Sequence, residues 1–246
     1  IVIGGWLPSL IKDNIYMQKE LKKVDCIYIE NHKTIKLLDA MGMKNLFKMN
    51  NFKNLVLSDY YYNMDMQVFR CCIFSRIEEK KGISDAIDVI AKIASNYDID
   101  IVLDIYGKVS DDYKDIFDKK LIEHKSCVCY KGVVEAGNSV ETIEKYDLLL
   151  FPTLYYTEGI PGTIIDAFFA GVPVLASKWE NYDEILEDGI TGFSYELANK
   201  DDFYEKLDFV IKNRNLLQKM RDNCRKKARE YTPEVSLMVL LQNIGE

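Results

Sequence analysis

The sequence predicts an α/β protein whose larger part is a doubly wound parallel sheet, and three observations carry that prediction. From Phe69 onward, short apolar runs alternate regularly with stretches of helical spacing, as in successive strand–helix–strand units. The runs are mainly apolar rather than strictly alternating, which is how strands covered on both faces read. The turns rich in Gly, Pro and Thr follow the runs, at the carboxyl ends where such sheets bind ligands. Right-handed crossovers then make the domain Rossmann-like.

VFRCCIF (68–74) reads as a buried strand, and ISDAIDVIAKIA (83–94) carries apolar residues at helical spacing. IDIVLDIYG (99–107) is a strand ending at Gly107, and DDYKDIFDKKLIEH (111–124) an amphipathic helix. CVCYKG (127–132), a helix near 139–145, DLLLFPT (147–153), a helix from about Thr163, VPVLAS (172–177) and TGFSY (191–195) follow. From about Asp201 there are two more helical patterns, with a break at Thr232-Pro233. Pro is well tolerated in a first turn, so a last helix starts there and runs to Gln242.

The first fifty-odd residues differ in kind. Lys19–Leu21 and Thr34–Ala40 read as helices around the strand DCIYIE (25–30), and NLFKMNNF (45–52) as a further strand or loop. Between Lys12 and Lys53 nine lysines face five carboxylates, a net +4 inside a chain of net charge −7. Such a stretch is either a solvated lysine-rich face or a contact for an anionic membrane, where each basic residue adds roughly 1 kcal/mol. The polar, aromatic LSDYYYNMDMQ looks like a linker. The expected organisation is an N-terminal remnant (1–56), the linker (57–67), a Rossmann-like domain (68–228), and a C-terminal helix (229–246) packing back on the N-terminal part. The chain begins IVIGGWLPSL, without Met and without signal-peptide features, and reads as joined in mid-fold.

Composition narrows the function classes. A chain of 246 residues, 48% hydrophobic and 29% charged, is an ordinary globular protein. Its acidity argues against nucleic acid as a partner. No run approaches the ~20 apolar residues of a membrane span. The six cysteines form no CxxC pair and read as reduced core thiols. With only His32 and His124, and no HxxxH or HExxH, no metal site is expected.

The densest stretch is EGIPGTIIDAFFAGVPVLASKWENYDEILEDGITG (158–192). It sets Glu158 and Asp166 on either side of a Pro161-Gly162-Thr163 turn that opens a helix. A helix N-terminus offers unpaired N–H groups and a positive dipole end, so it holds a phosphate well. Two carboxylates beside an anion site suit a ligand with both phosphate and hydroxyl groups, such as a sugar nucleotide. Asp166 has an alternative role in capping that helix. Glu158, beside Gly159 and Pro161 in a constrained turn, has none. Arg76 and Lys81, in FSRIEEKKG, fall at the same carboxyl edge, where fixed cations neutralise a departing diphosphate; the alternative is surface charges paired with Glu78 and Glu79. No GxGxxG follows the first strand, which weakens a dinucleotide reading.

These residues together resemble the C-terminal half of a retaining glycosyltransferase of the two-Rossmann-domain (GT-B) architecture, family 4. That family's Gly-Arg-Leu with Lys-Gly shortly after appears as Ser75-Arg76-Ile77 and Lys81-Gly82. Its E-x7-E motif appears as Glu158 and Asp166, its Gly-Val-Pro-Val-Ile-Ala-Ser run as GVPVLAS (171–177), and its acidic-Gly-x-x-Gly turn as EDGITG (187–192). The likeness covers about 160 residues from Phe69, and residues 1–56 resemble the end of the family's N-terminal domain. The resemblance implies that Arg76 and Lys81 grip the donor diphosphate and that Glu158 contacts the transferred sugar near its reacting carbon. It implies that Asp166 bonds the ribose, that amides around Gly162 and Thr163 hold the distal phosphate, that the loop after Lys131-Gly132, with Val133, covers the base, and that Gly107, Gly159 and Pro161 also belong to the substrate-binding site. No metal or other cofactor is implied; Asp98-Ile99-Asp100 fits a metal motif in letters but precedes a strand at the opposite edge. Two departures stand out: Asp166 replaces the second Glu, and the family's Gly-rich acceptor loop and histidine have no counterpart, Gly4-Gly5 being no substitute.

The function expected is transfer, with retention, of a hexose from a UDP-, GDP- or ADP-sugar to a glycan or lipid-linked acceptor in surface polysaccharide synthesis. The enzyme would be cytoplasmic, at the inner face of the membrane. The alternative is a non-catalytic donor-binding half that needs a partner chain; a nicotinamide dehydrogenase is disfavoured, because the phosphate turn follows a late strand.

Overall fold

The structure, a computed structural model, describes residues 2–3 and 6–244; Gly4-Gly5 lies outside them. The chain forms two parallel sheets. The smaller is built from β1 (Val2–Ile3), β2 (Ile27–Ile29) and β3 (Leu46–Lys48), in that order across the sheet. Helices α1 (Leu7–Ile11), α2 (Ile15–Leu21) and α3 (His32–Ala40) connect its strands. Asn14 and Asn31 cap α2 and α3, each side chain accepting from an N–H three residues on, at Met17 and Thr34. Leu7, Ile11, Ile27, Ile29, Leu38 and Met43 fill its small core.

The larger unit runs β4 (Val68–Phe74), α4 (Ile83–Ala94), β5 (Asp100–Tyr106), α5 (Lys114–Glu123), β6 (Val128–Gly132), α6 (Ser139–Ile143), β7 (Leu148–Phe151), α7 (Gly162–Phe169), β8 (Val174–Ser177) and β9 (Gly192–Tyr195). Its strand order is β6-β5-β4-β7-β8-β9, all parallel. The chain therefore winds outward from β4 in one direction, returns, and winds outward from β7 in the other. This is the doubly wound order, with its switch point between β4 and β7. Alternate residues of the strands feed two cores: Phe69, Cys71 and Ile73 pack under α4, while Cys72, Leu149 and Phe151 pack under α7.

Beyond the sheet lie α8 (Lys200–Lys212), α9 (Asn215–Ala228) and α10 (Pro233–Ile244). The sequence reads one helical pattern before Thr232-Pro233; the structure has two, broken at Asn213-Arg214. Asn213 leaves the helical region at φ −118°, ψ 36°, and its side chain caps Phe209 O. Arg214 is turned inward to Asp147, 3.2 Å away, in a buried pair. The last helix returns to the smaller sheet, bringing Asn243 beside Tyr28.

Residues 57–67 have no regular structure, yet they are held down. Arg225 donates to the carbonyls of Ser58 and Tyr60, Arg214 to those of Asp65 and Val68, and the Arg221 guanidinium lies 4.0 Å from the centre of the Tyr62 ring. Of the six cysteines, none in a disulfide, Cys71, Cys72, Cys127 and Cys224 are buried as expected; Cys129, on edge strand β6, is exposed and departs from the core reading.

Candidate active site at the switch point

The switch point brings two loops together: Ser75–Gly82 after β4 and Pro152–Pro161 after β7. Two glycines make this approach sterically feasible. Gly82, at φ +68°, sits where an added Cβ would lie 1.9 Å from Pro152 O. Gly107, at φ +139°, lies against Ser75 O, where a Cβ would be 1.7 Å away. No other residue fits either position without moving a backbone.

At these loops is a cavity of about 450 Å³ lined by Arg76, Lys81, Glu158 and the Gly159–Gly162 turn, and also by Trp6 and Glu30 from the N-terminal part. Lys81 Nζ is 2.8 Å from Glu158 Oε2, and both side chains are largely buried. The Thr153 hydroxyl donates to the same oxygen, and the Lys81 ammonium lies 5.1 Å from the centre of the Tyr155 ring. Lys81 is thus paired across the site, not with Glu78 or Glu79. Arg76 is 72% exposed and reaches Glu78 at 3.6 Å, a contact that solvent weakens. The turn itself is fixed from outside: Trp179 Nε1 donates to Gly159 O, Asn181 Nδ2 to Glu158 O, and Asn51 Nδ2 to Ile160 O.

Helix α7 begins at Gly162, preceded by Pro161 in extended conformation with no side-chain cap. Its first intrahelical donors are Ile164 and Ile165, both to Pro161 O, so the N–H groups of Gly162 and Thr163 precede the helical bonding pattern. The Thr163 hydroxyl is buried with no hydrogen-bond partner. Starting the helix at Gly162 puts Asp166 in fifth position, past the first turn, so the capping alternative does not describe it. Its carboxylate lies within ion-pair distance of Lys53, 3.2 Å away, and its Oδ1 makes no hydrogen bond. Burial pushes the Asp166 carboxyl above its ordinary range, and Lys53 and Ser139 oppose that.

Arg76, Lys81, Glu158, Gly159, Pro161 and Gly162 thus converge on one cavity, with Thr163 and Asp166 on the helix behind it. Gly107 and Val133 do not line it. Gly107 donates to Gly132 O and accepts from the Tyr130 hydroxyl, joining the ends of β5 and β6, and Val133 stands 69% exposed beyond them. Among the described residues no group of three or more His, Cys, Asp or Glu is placed to hold a metal ion.

Sequence reasoning missed Trp6, Glu30 and Lys53, all contributed by the N-terminal part. It counted Glu30 and Lys53 only toward regional charge, because nothing local marks a side chain that reaches a site over a hundred residues away. Three of the nine lysines likewise face the larger unit: Lys33 pairs with Glu180 (3.2 Å), Lys48 with Glu184 (3.0 Å) and Lys53 with Asp166. The expected basic face is smaller by those three.

Comparison with known proteins identifies the family and the fold. The glycosyl transferases group 1 family matches residues 65–231, most of the chain. The chain belongs to that family. It is 28% identical over 202 residues to an uncharacterised 41.2 kDa protein in the cps region of Klebsiella pneumoniae, a match covering 76% of this chain and 52% of that protein. In three dimensions it resembles a mutant of S. aureus TarM in complex with fondaparinux, α-GlcNAc-glycerol and UDP (TM-score 0.79, 20% identity, 96% of this chain and 47% of that one). It also resembles Anabaena Alr3699/HepE in complex with UDP (TM-score 0.74, 15% identity, 94% and 67%). At such identities the likeness establishes the fold, which is of the GT-B type. The family member described here spans about half the length of the Klebsiella protein.

Proposed function

We propose that this chain forms the donor side of a glycosyltransferase that moves a hexose from a nucleoside-diphosphate sugar to a glycan or lipid-linked acceptor, with retention, in polysaccharide synthesis. The observation that carries this reading is the meeting of Arg76, Lys81, Glu158 and the uncapped start of α7 around one cavity at the switch point. Cations and helix N–H groups already aimed at one place stabilise the diphosphate as it leaves, without reorganising during the reaction. Glu158, fixed by Thr153 and Lys81, faces the sugar that becomes oxocarbenium-like as that bond breaks. The Asp166 carboxylate, held by Lys53, is the acceptor offered to a ribose hydroxyl, and the buried, unpartnered Thr163 hydroxyl is free to donate to a phosphate oxygen. The chemistry is assigned to side chains and amides, with no metal or other cofactor; outside the cavity, the loop after Lys131-Gly132, with Val133, is assigned to cover the base, and Gly107 to the same substrate-binding site.

The TarM mutant and HepE complexes, alike in fold, both hold UDP, which makes UDP-sugars the first donors to test, ahead of GDP- and ADP-sugars. A donor at 100 times its dissociation constant adds ~2.7 kcal/mol of stability, readily read as a thermal shift. R76A and K81A are expected to lose that shift, and E158A to keep it while losing turnover. A chain that no sugar nucleotide stabilises, or variants that bind and turn over like the parent, would overturn the reading. Donor binding without turnover by the chain alone would favour a donor-binding half that acts with a partner. The activity is assigned to the cytoplasm. Lys12, Lys19, Lys22 and Lys36, beside the exposed Leu10, Ile15 and Tyr16, would meet an anionic membrane, checked by salt-sensitive sedimentation with anionic vesicles.

A further inference from the structure

The N-terminal part contributes two side chains to the lining of the cavity that holds Lys81 and Glu158: Trp6 and Glu30. Trp6 immediately precedes α1, with its indole 57% exposed. Glu30 closes β2 and reaches over the donor turn, coming within 2.8 Å of the position a Cβ on Gly159 would take. Its carboxylate is poorly satisfied. Oε2 accepts a long bond from the Ile160 N–H at 3.5 Å, and among the described residues no cation lies within ion-pair distance of it. Lys48, the nearest candidate, gives its ammonium to the Glu30 backbone carbonyl and to Glu184 instead. A carboxylate offers about four acceptor positions, so most of those on Glu30 remain open toward the cavity.

A flat apolar ring beside an open carboxylate complements a pyranose, whose C–H face stacks on an indole while its rim hydroxyls donate. It is a poorer match for a phosphate or a uronate, because the Glu30 carboxylate, unlike Glu158 with Lys81, has no cation of its own among the described residues. We propose that Trp6 and Glu30 form the acceptor subsite, and that it takes an uncharged or amino sugar at the end of a glycan, not a phosphorylated acceptor. Assigning this pair to the acceptor rests on the donor reading above; the sugar-binding claim itself stands on the pair's own chemistry.

The two tryptophans separate that claim from the donor reading. Trp179 is 1% exposed and Trp6 is the other, so iodide quenches the fluorescence of Trp6. Methyl glycosides of glucose, galactose, mannose and N-acetylglucosamine are titrated as protectants, with glucose 6-phosphate and glucuronic acid in parallel. At least one neutral glycoside is expected to shield Trp6, and the two anionic sugars to shield it at least tenfold less well. W6F should abolish the quenchable signal, and E30Q should weaken the glycoside about tenfold, as expected for a lost charge-assisted hydrogen bond. The UDP-, GDP- and ADP-sugar panel is run by thermal shift on the same proteins, and both variants should keep the parent's donor response.

The proposal is overturned if no glycoside shields Trp6, if anionic sugars shield it equally, or if E30Q binds the glycoside like the parent. A donor response lost in E30Q would move Glu30 to the donor side and overturn the acceptor assignment. A parent chain that shields with glycosides but ignores every donor would sink the donor reading and leave the sugar subsite standing.

Discussion

Asp166 and Glu30 are the residues in which burial and charge compete most directly. Both carboxyls are raised above their ordinary values of 3.8 and 4.5, chiefly by desolvation. A raised value means that the folded chain keeps the proton through a range of pH in which the unfolded chain has already lost it. Each group therefore favours the fold below its ordinary value, and that contribution fades as the pH rises through the raised one. The neutral variant D166N escapes this loss. Its stability relative to the parent, followed by urea midpoints across the acid range, is expected to climb with pH; an offset constant in pH would contradict the assignment. The letters Glu158 and Asp166 were legible as a pair because both lie in one turn and the helix after it. Glu30 and Lys53 were not, because their roles depend on a contact between units far apart in sequence.

At the scale of elements, the site exists because two loops touch, and Gly82 governs that touch. It ends the short helical turn Glu79–Lys81 in the left-handed region and begins α4. Lys81 is aimed at Glu158 by that reversal. In G82A the strained backbone and the displaced Pro152 carbonyl should together cost about 2 kcal/mol or more. A lower urea midpoint at unchanged slope, together with a weakened donor response, is the expected result; parent-like behaviour in both would show that the loop tolerates a Cβ. Helix α9 plays the complementary part, its Arg221 and Arg225, with Arg214 just ahead of it, binding carbonyls of the 57–67 segment and of the α6–β7 turn. The strands and helices of this unit were readable from apolar runs and Gly-Pro turns. The break at Asn213-Arg214 was not, since a polar dipeptide inside an amphipathic pattern reads as helix surface until the buried Asp147 draws Arg214 inward.

At the scale of the whole molecule, the two units meet through ion pairs and hydrogen bonds, and Glu184 makes two of them. Its carboxylate accepts from the His32 N–H at 2.7 Å, at the amino end of α3, and from Lys48 at 3.0 Å. It stands in the short turn after β8, within the same 158–192 stretch that supplies Glu158. One segment thus supplies the donor turn and an acid that ties it to the N-terminal part. Removing the charge in E184Q should weaken the cap by about 1 kcal/mol. Hydrogen exchange in the first turn of α3 is expected to speed up roughly fivefold, the equivalent of that free energy. Unchanged exchange would show that the two units are joined by other contacts.

The amino-acid pattern alone carries the class of fold, the succession of strands and helices from Phe69 to Tyr195, and most of the residues that meet at the switch point. It could do so because those features are written in local periods and in short turns, and because parallel sheets place successive carboxyl ends on one edge. Which cations are committed to partners, that the segment after Leu57 is strapped down, and that Trp6 and Glu30 line the cavity emerge only from the folded chain. Those depend on side chains meeting across long sequence separations, where charge and burial are set by neighbours that no local pattern names.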